Sequence, residues 1–149
     1  YTIWAADEIV AKQFFKENKN AGIIEGIYLY ENSSYDVLKK MQPKGVLHCF
    51  SGSKEMAREI IKLGMYIGLG GAVTFKNAKK PVEVAEMLPL DRLLLETDCP
   101  YMAPVPMRGK RNNSAYIQYV AEKIGEIKGL NPQEITDEAT KNTKKLFGI

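Results

Sequence analysis

Short apolar runs alternate with amphipathic stretches along most of this chain. Four runs, at residues 26–30, 45–49, 65–69 and 92–97, are apolar almost without a break, the pattern of strands buried on both faces. Between them lie helical patterns. Within 53–63, Met56, Ala57, Ile60 and Ile61 fall on one helical face. Within 81–88, Val84, Ala85 and Leu88 do the same, and within 115–128 Ile117, Val120, Ala121, Ile124 and Ile127 form a stripe. A last helix is predicted to start at Asn131, which suits an N-cap, with Pro132 at the first helical position and Glu134 completing a capping box. A further helix is predicted over 6–19. The order α-β-α-β-α-β-α-β-loop-α-α predicts an α/β fold with a parallel sheet. Two architectures share that order, an open doubly wound sheet and half of a (β/α)₈ barrel, and periodicity does not choose between them.

Composition narrows the class. The chain has 149 residues, of which 45% are apolar and 26% charged. That suits a globular domain with a real core and excludes disordered and fibrous classes. No Gly/Ser- or Pro-rich linker divides it, so residues 1–149 are predicted to form a single domain. The charge sum, 21 − 18 = +3, is too small to imply a polyanionic partner by itself. Its basic residues cluster at 76–80 and 108–111, each of which reads by default as a solvated surface. The two cysteines, Cys49 and Cys99, are too few for a disulfide framework; reduced thiols in a cytoplasmic protein are the simpler account. No apolar run approaches the ~20 residues of a membrane span. The first residues have neither the pattern of a signal peptide nor an initiator Met, so the chain is expected to be a piece of something longer.

Chemistry concentrates at two predicted strand ends. His48 is the only histidine. It closes the 45–49 run, and in parallel α/β folds the carboxyl ends of strands face the active site. A lone histidine in that place is more often a hydrogen-bonded structural residue. However, Phe50-Ser51-Gly52-Ser53 follows it as a sharp turn into a helix, where Ser51 and backbone N–H groups suit a phosphate. The second place is Leu93-Leu94-Leu95-Glu96-Thr97-Asp98. Residues 96 and 98 of a strand share a face, so two carboxylates would converge, a costly arrangement without a compensating partner. A solvated strand end or a helix N-cap would explain Asp98 equally well. The loop 101–113 is long and carries Pro104, Pro106, Arg108, Lys110 and Arg111. Long ordered loops are often functional, and its basic groups suit phosphate oxygens. The glycines of Gly68-Leu69-Gly70-Gly71-Ala72-Val73 do not make a dinucleotide site, because Val73 occupies the third glycine position; a tight turn at a strand end accounts for them.

Taken together these segments resemble a known family. His48-Cys49-Phe50-Ser51-Gly52, then Gly68-Leu69-Gly70-Gly71 with Thr74-Phe75-Lys76-Asn77-Ala78, then Leu95-Glu96-Thr97-Asp98-Cys99-Pro100-Tyr101, and Pro104-Val105-Pro106 with Arg108-Gly109-Lys110-Arg111-Asn112 are similar to successive blocks of the TatD family of metal-dependent deoxyribonucleases. The resemblance is nearly continuous from Pro43 to Ile149 and loose over 1–42. It implies the C-terminal half of a (β/α)₈ TIM-type barrel, related to amidohydrolase-like metal hydrolases that bind divalent metals at the strand ends and cleave DNA phosphodiester bonds. It implies His48 and Asp98 as metal ligands, Asp98 also as the group orienting or deprotonating an attacking water, and Glu96 as their support. Ser51, Arg108, Lys110 and Arg111 become candidates for holding phosphate. The metal would be Mg²⁺, Mn²⁺ or Zn²⁺, and the partner DNA, single-stranded or at strand ends, with no membrane involved.

The departures are as informative. The family's H-x-H pair and mid-chain Glu have no counterpart in 1–149. Counting back from Tyr35, the family's other histidine falls near Tyr30, and tyrosine is a poor substitute for a neutral imidazole. The chain is therefore expected to be incomplete for catalysis. The alternative is a non-catalytic half-barrel remnant serving as a binding or assembly module, and an open half-barrel is expected to self-associate. A hydrolase of small esters or amides on the same barrel is the third reading.

Overall fold

The computed structural model describes residues 38–40 and 43–149. The helix predicted over 6–19, the strand predicted over 26–30 and Tyr30 lie outside them. Within the described residues three parallel strands form a sheet in the order β1-β2-β3: β1 is Val46–Leu47, β2 is Tyr66–Leu69 and β3 is Leu93–Leu95. Val46 pairs with Tyr66, and Ile67, Gly68 and Leu69 pair with Leu93, Leu94 and Leu95. Helices α1 (Lys54–Lys62), α2 (Lys79–Met87), α3 (Ile117–Lys128) and α4 (Pro132–Phe147) make the crossovers and the C-terminal layer. A 3₁₀ turn leads into α3.

The strands alternate their side chains between two faces. One face carries Ile67, Leu69 and Leu93. It packs in a single core with Ala57 and Ile60 of α1, Val84 and Ala85 of α2, Val120, Ala121 and Ile124 of α3 and Ile135 of α4. The other face carries Val46, Tyr66 and Leu94, which cluster separately with Leu146 near the end of α4. All four helices thus contribute to the core on one sheet face, and α4 also reaches the other face through Leu146 near its end. Helices layered mainly on one face suit a barrel wall, whereas a doubly wound sheet has whole helices on both faces.

Helix ends follow the sequence closely. Ser53 caps α1, its Oγ accepting from the Met56 amide. Asn131 and Glu134 form the reciprocal capping box of α4, with Pro132 opening the helix. The strands are shorter than the apolar runs. The chain leaves β1 after Leu47 because Cys49 adopts a left-handed conformation, φ 49°, and its amide bonds a side chain instead of a neighbouring strand.

Asn142 locks α4 against the sheet. It is 2% exposed, and its Nδ2 donates to Leu90 O at 2.7 Å and Leu93 O at 2.9 Å. Replacing it with Leu would leave two carbonyls at the start of β3 without that donor. Asn142→Leu should cost about 1–3 kcal/mol in urea unfolding; an unchanged unfolding midpoint would contradict the role.

Candidate metal centre

The loops that leave β1 and β3 at their carboxyl ends bring three titratable groups together. His48 lies in the turn after β1. Its Nδ1 is 2.5 Å from Glu96 Oε2 and its Nε2 is 2.8 Å from Asp98 Oδ1. The second Glu96 oxygen accepts from the Cys49 amide at 2.6 Å, so Glu96 holds both the imidazole and the backbone that carries it. Glu96 still belongs to the sheet ladder, its amide donating to Leu69 O. Asp98 does not. Its φ is 53°, so the chain turns off the strand direction and delivers the carboxylate to the far nitrogen of the same ring.

The sheet is cut away to admit these carboxylates. A Cβ at Gly68 would overlap the Glu96 carboxylate, and one at Gly70 would stand 3.2 Å from Asp98 Oδ2. Asn112 fixes the turn from outside. Buried at 4% exposure, it donates from Nδ2 to Thr97 O at 2.5 Å and to Tyr101 O at 2.6 Å, and its amide donates to Pro100 O. Sequence reasoning passed over Gly68, Gly70 and Asn112 as parts of the site. An Asn-Asn pair before a helix signals a cap, and Asn113 is that cap, accepting from Ala115 N. Nothing local marks Asn112, whose partners lie 11 and 15 residues away.

Two carboxylates bracketing one imidazole shift every group involved. His48 is pushed up to about 10, first by its hydrogen bond to Asp98 and then by that to Glu96, which together outweigh desolvation. Asp98 is held below its ordinary value by the imidazole. Glu96 moves the other way, because burial dominates. The Cys49 thiol is pushed up to about 12 by desolvation and the adjacent carboxylates, which argues against a thiolate nucleophile. Without a metal the centre is therefore an imidazolium clasped by carboxylates.

The donor set also fits a divalent cation. Ligand atoms of His48, Glu96 and Asp98 all lie within 4.8 Å of one another. Asp98 Oδ2 is buried and has no hydrogen-bond partner, an orphan that a cation would satisfy. Glu96 on Nδ1 would fix the tautomer that presents the Nε2 lone pair, the usual support of a metal-ligating histidine. The remaining candidates are not drawn into this cluster. Ser51, Arg108, Lys110 and Arg111 are exposed on the loops leaving the same strand ends, and none is hydrogen-bonded or ion-paired to the three.

Comparison with known proteins assigns the family. Residues 29–148 match the model of the TatD related DNase family, and the chain belongs to that family. It is 55% identical over 105 residues to the uncharacterized metal-dependent hydrolase YabD of Bacillus subtilis, covering 70% of this chain and 41% of that one. It is 48% identical over 105 residues to the uncharacterized metal-dependent hydrolase YcfH of Escherichia coli, covering 70% and 40%. Among solved structures, the TatD homologue YjjV of E. coli superposes with a TM-score of 0.76 at 32% identity, over 85% of this chain and 49% of that one. A TatD family hydrolase from Entamoeba histolytica shares the fold, with a TM-score of 0.74 at 19% identity over 93% and 54%. The chain thus spans about two fifths to one half of these relatives, and its parallel sheet belongs to part of a TIM-type barrel. Among the described residues no helix is long and apolar enough to cross a membrane.

The single histidine makes the electrostatics directly observable. In metal-free protein its ring signals in NMR should titrate near pH 10, far above the ordinary 6.5, and Asp98→Asn should bring the midpoint down. The raised value also fixes the sign of the stability effect. His48 stabilises the fold fully below about pH 6.5 and loses that contribution as pH rises through about 10. A midpoint near 6.5 in the unmodified chain would contradict the clasped imidazolium.

Proposed function

We propose that this chain carries the C-terminal part of the active site of a divalent-metal-dependent hydrolase that cleaves DNA phosphodiester bonds. The observation that carries the reading is the buried, unpartnered Asp98 Oδ2 beside the His48 ring at the strand ends. Membership of the TatD related DNase family supports the choice of substrate.

In this reading His48 presents Nε2, and Asp98 presents a carboxylate that also orients, or takes a proton from, the attacking water. Glu96 holds the imidazole through Nδ1 and keeps its tautomer. A divalent cation bound there would supply Lewis-acid activation of water and neutralise phosphate charge. Mg²⁺, Mn²⁺ and Zn²⁺ all suit mixed imidazole and carboxylate donors. Ser51 and the basic groups of the 101–113 loop would hold backbone phosphates.

The sequence contains one histidine, so the further histidines that the family resemblance calls for have no source within these 149 residues. We therefore assign these residues a weak metal site and negligible hydrolysis by themselves. Calorimetric titration with Zn²⁺ or Mn²⁺ should show binding that Asp98→Ala abolishes and Glu96→Gln weakens on the order of tenfold. No binding to the unmodified chain at millimolar metal would refute the metal reading. Metal-dependent cleavage of single-stranded DNA by this chain, lost in Asp98→Asn, would refute the incompleteness.

A further inference from the structure

The basic runs at 76–80 and 108–111 lie far apart in sequence and each reads as a solvated surface. The fold joins them. Thr74 Oγ1 donates to Gly71 O at 2.7 Å and accepts from the Val105 amide at 2.9 Å, latching the loop after β3 onto the turn after β2. Just beyond that latch the Arg108 guanidinium lies over the Phe75 ring, 4.0 Å from its centroid. Lys76 follows Phe75 directly, and Lys110 and Arg111 follow Arg108.

These cations are exposed, and none of Lys76, Arg108, Lys110 or Arg111 is ion-paired among the described residues. The nearest carboxylate in sequence on α2, Glu83, is engaged with Lys54. A stacked guanidinium keeps its edge donors free while its plane is held, so Arg108 is positioned without being neutralised. Solvation alone calls for neither a latch nor a stack. The strip sits on the loops leaving the carboxyl ends of β2 and β3, and β3 is the strand whose end also delivers Glu96 and Asp98.

We propose that Lys76, Arg108, Lys110 and Arg111, joined by the Phe75–Arg108 stack, form one binding strip for the sugar–phosphate backbone of single-stranded nucleic acid. The proposal takes its ligand class from the DNA reading above, but it needs neither metal nor catalysis. Spaced cations grip the phosphates of a flexible strand without reading its sequence. A role confined to packing would make the stack matter for stability and leave strand affinity unchanged.

The test is fluorescence anisotropy of a labelled oligothymidylate of about 12 nucleotides, with the full chain in chelator over a series of KCl concentrations. Arg108→Ala/Arg111→Ala should weaken binding at least tenfold and reduce the slope of log K against log salt by about 1.4, two phosphate contacts at ~0.7 each. Phe75→Leu should weaken it about threefold by releasing the guanidinium. Lys141→Ala, at an exposed cation on α4, should bind within twofold of the unmodified chain, and the chelator present throughout keeps metal binding out of the readout. Binding that survives Arg108→Ala/Arg111→Ala within twofold would overturn the proposal. So would an equal loss in Lys141→Ala.

Discussion

One imidazole held between two carboxylates organises this end of the molecule. Glu96 and Asp98 are partly shielded from water, at 12% and 16% side-chain exposure, and two such charges converging in a confined space repel each other. His48 compensates them, one ring nitrogen to each. The surrounding backbone follows from this. Cys49 gives its amide to Glu96 and so cannot continue β1, Asp98 turns left-handed to reach Nε2, and β2 carries glycine where the carboxylates enter. Left-handed non-glycine residues concentrated at one spot are a common mark of a functional site.

The arrangement serves two states with the same atoms. Protonated, His48 is a cation that satisfies both carboxylates. With the Nε2 proton removed, it offers a lone pair beside a carboxylate whose other oxygen has no partner, while Glu96 keeps the ring in place. Metal and proton therefore compete for Nε2, and in metal-free protein at neutral pH the proton holds it. A complete constellation with more ligands would tilt that competition toward metal. The three donors found among the described residues leave it closer to balance, which is why we assign weak metal binding.

Much of the fold was legible in the sequence. Most residues of the apolar stripes of α1, α2 and α3 fill the core, although Met56 is exposed and Ile117 lies outside the cluster, and the Asn131-Pro132-Glu134 signature caps α4 as the local chemistry dictates. Such features depend on neighbours within a few residues. Strand limits were less legible, because the apolar cores of 45–49 and 92–97 run on into His48-Cys49 and Glu96-Thr97, residues that an extended strand also accepts. What stops β1 is a bond to Glu96, 47 residues away. His48, Glu96 and Asp98 stood out by type and by strand-end position, and alternation put residues 96 and 98 on one face. Their meeting on a single ring did not stand out, since it depends on the parallel register of β2 with β3 and on the turn at Asp98. Asn112, Asn142 and the Phe75–Arg108 stack were invisible for the same reason: each acts across a distance that periodicity does not encode.

In the proposed metal site Nε2 of His48 faces the cation while Nδ1 stays bonded to Glu96. A long-range ¹H–¹⁵N correlation spectrum of the single histidine, recorded with and without Zn²⁺, tests it most directly. Metal should move the Nε2 resonance and leave Nδ1 protonated, and Asp98→Ala should remove the response. Movement of Nδ1 instead, or a ring spectrum indifferent to millimolar Zn²⁺, would contradict it.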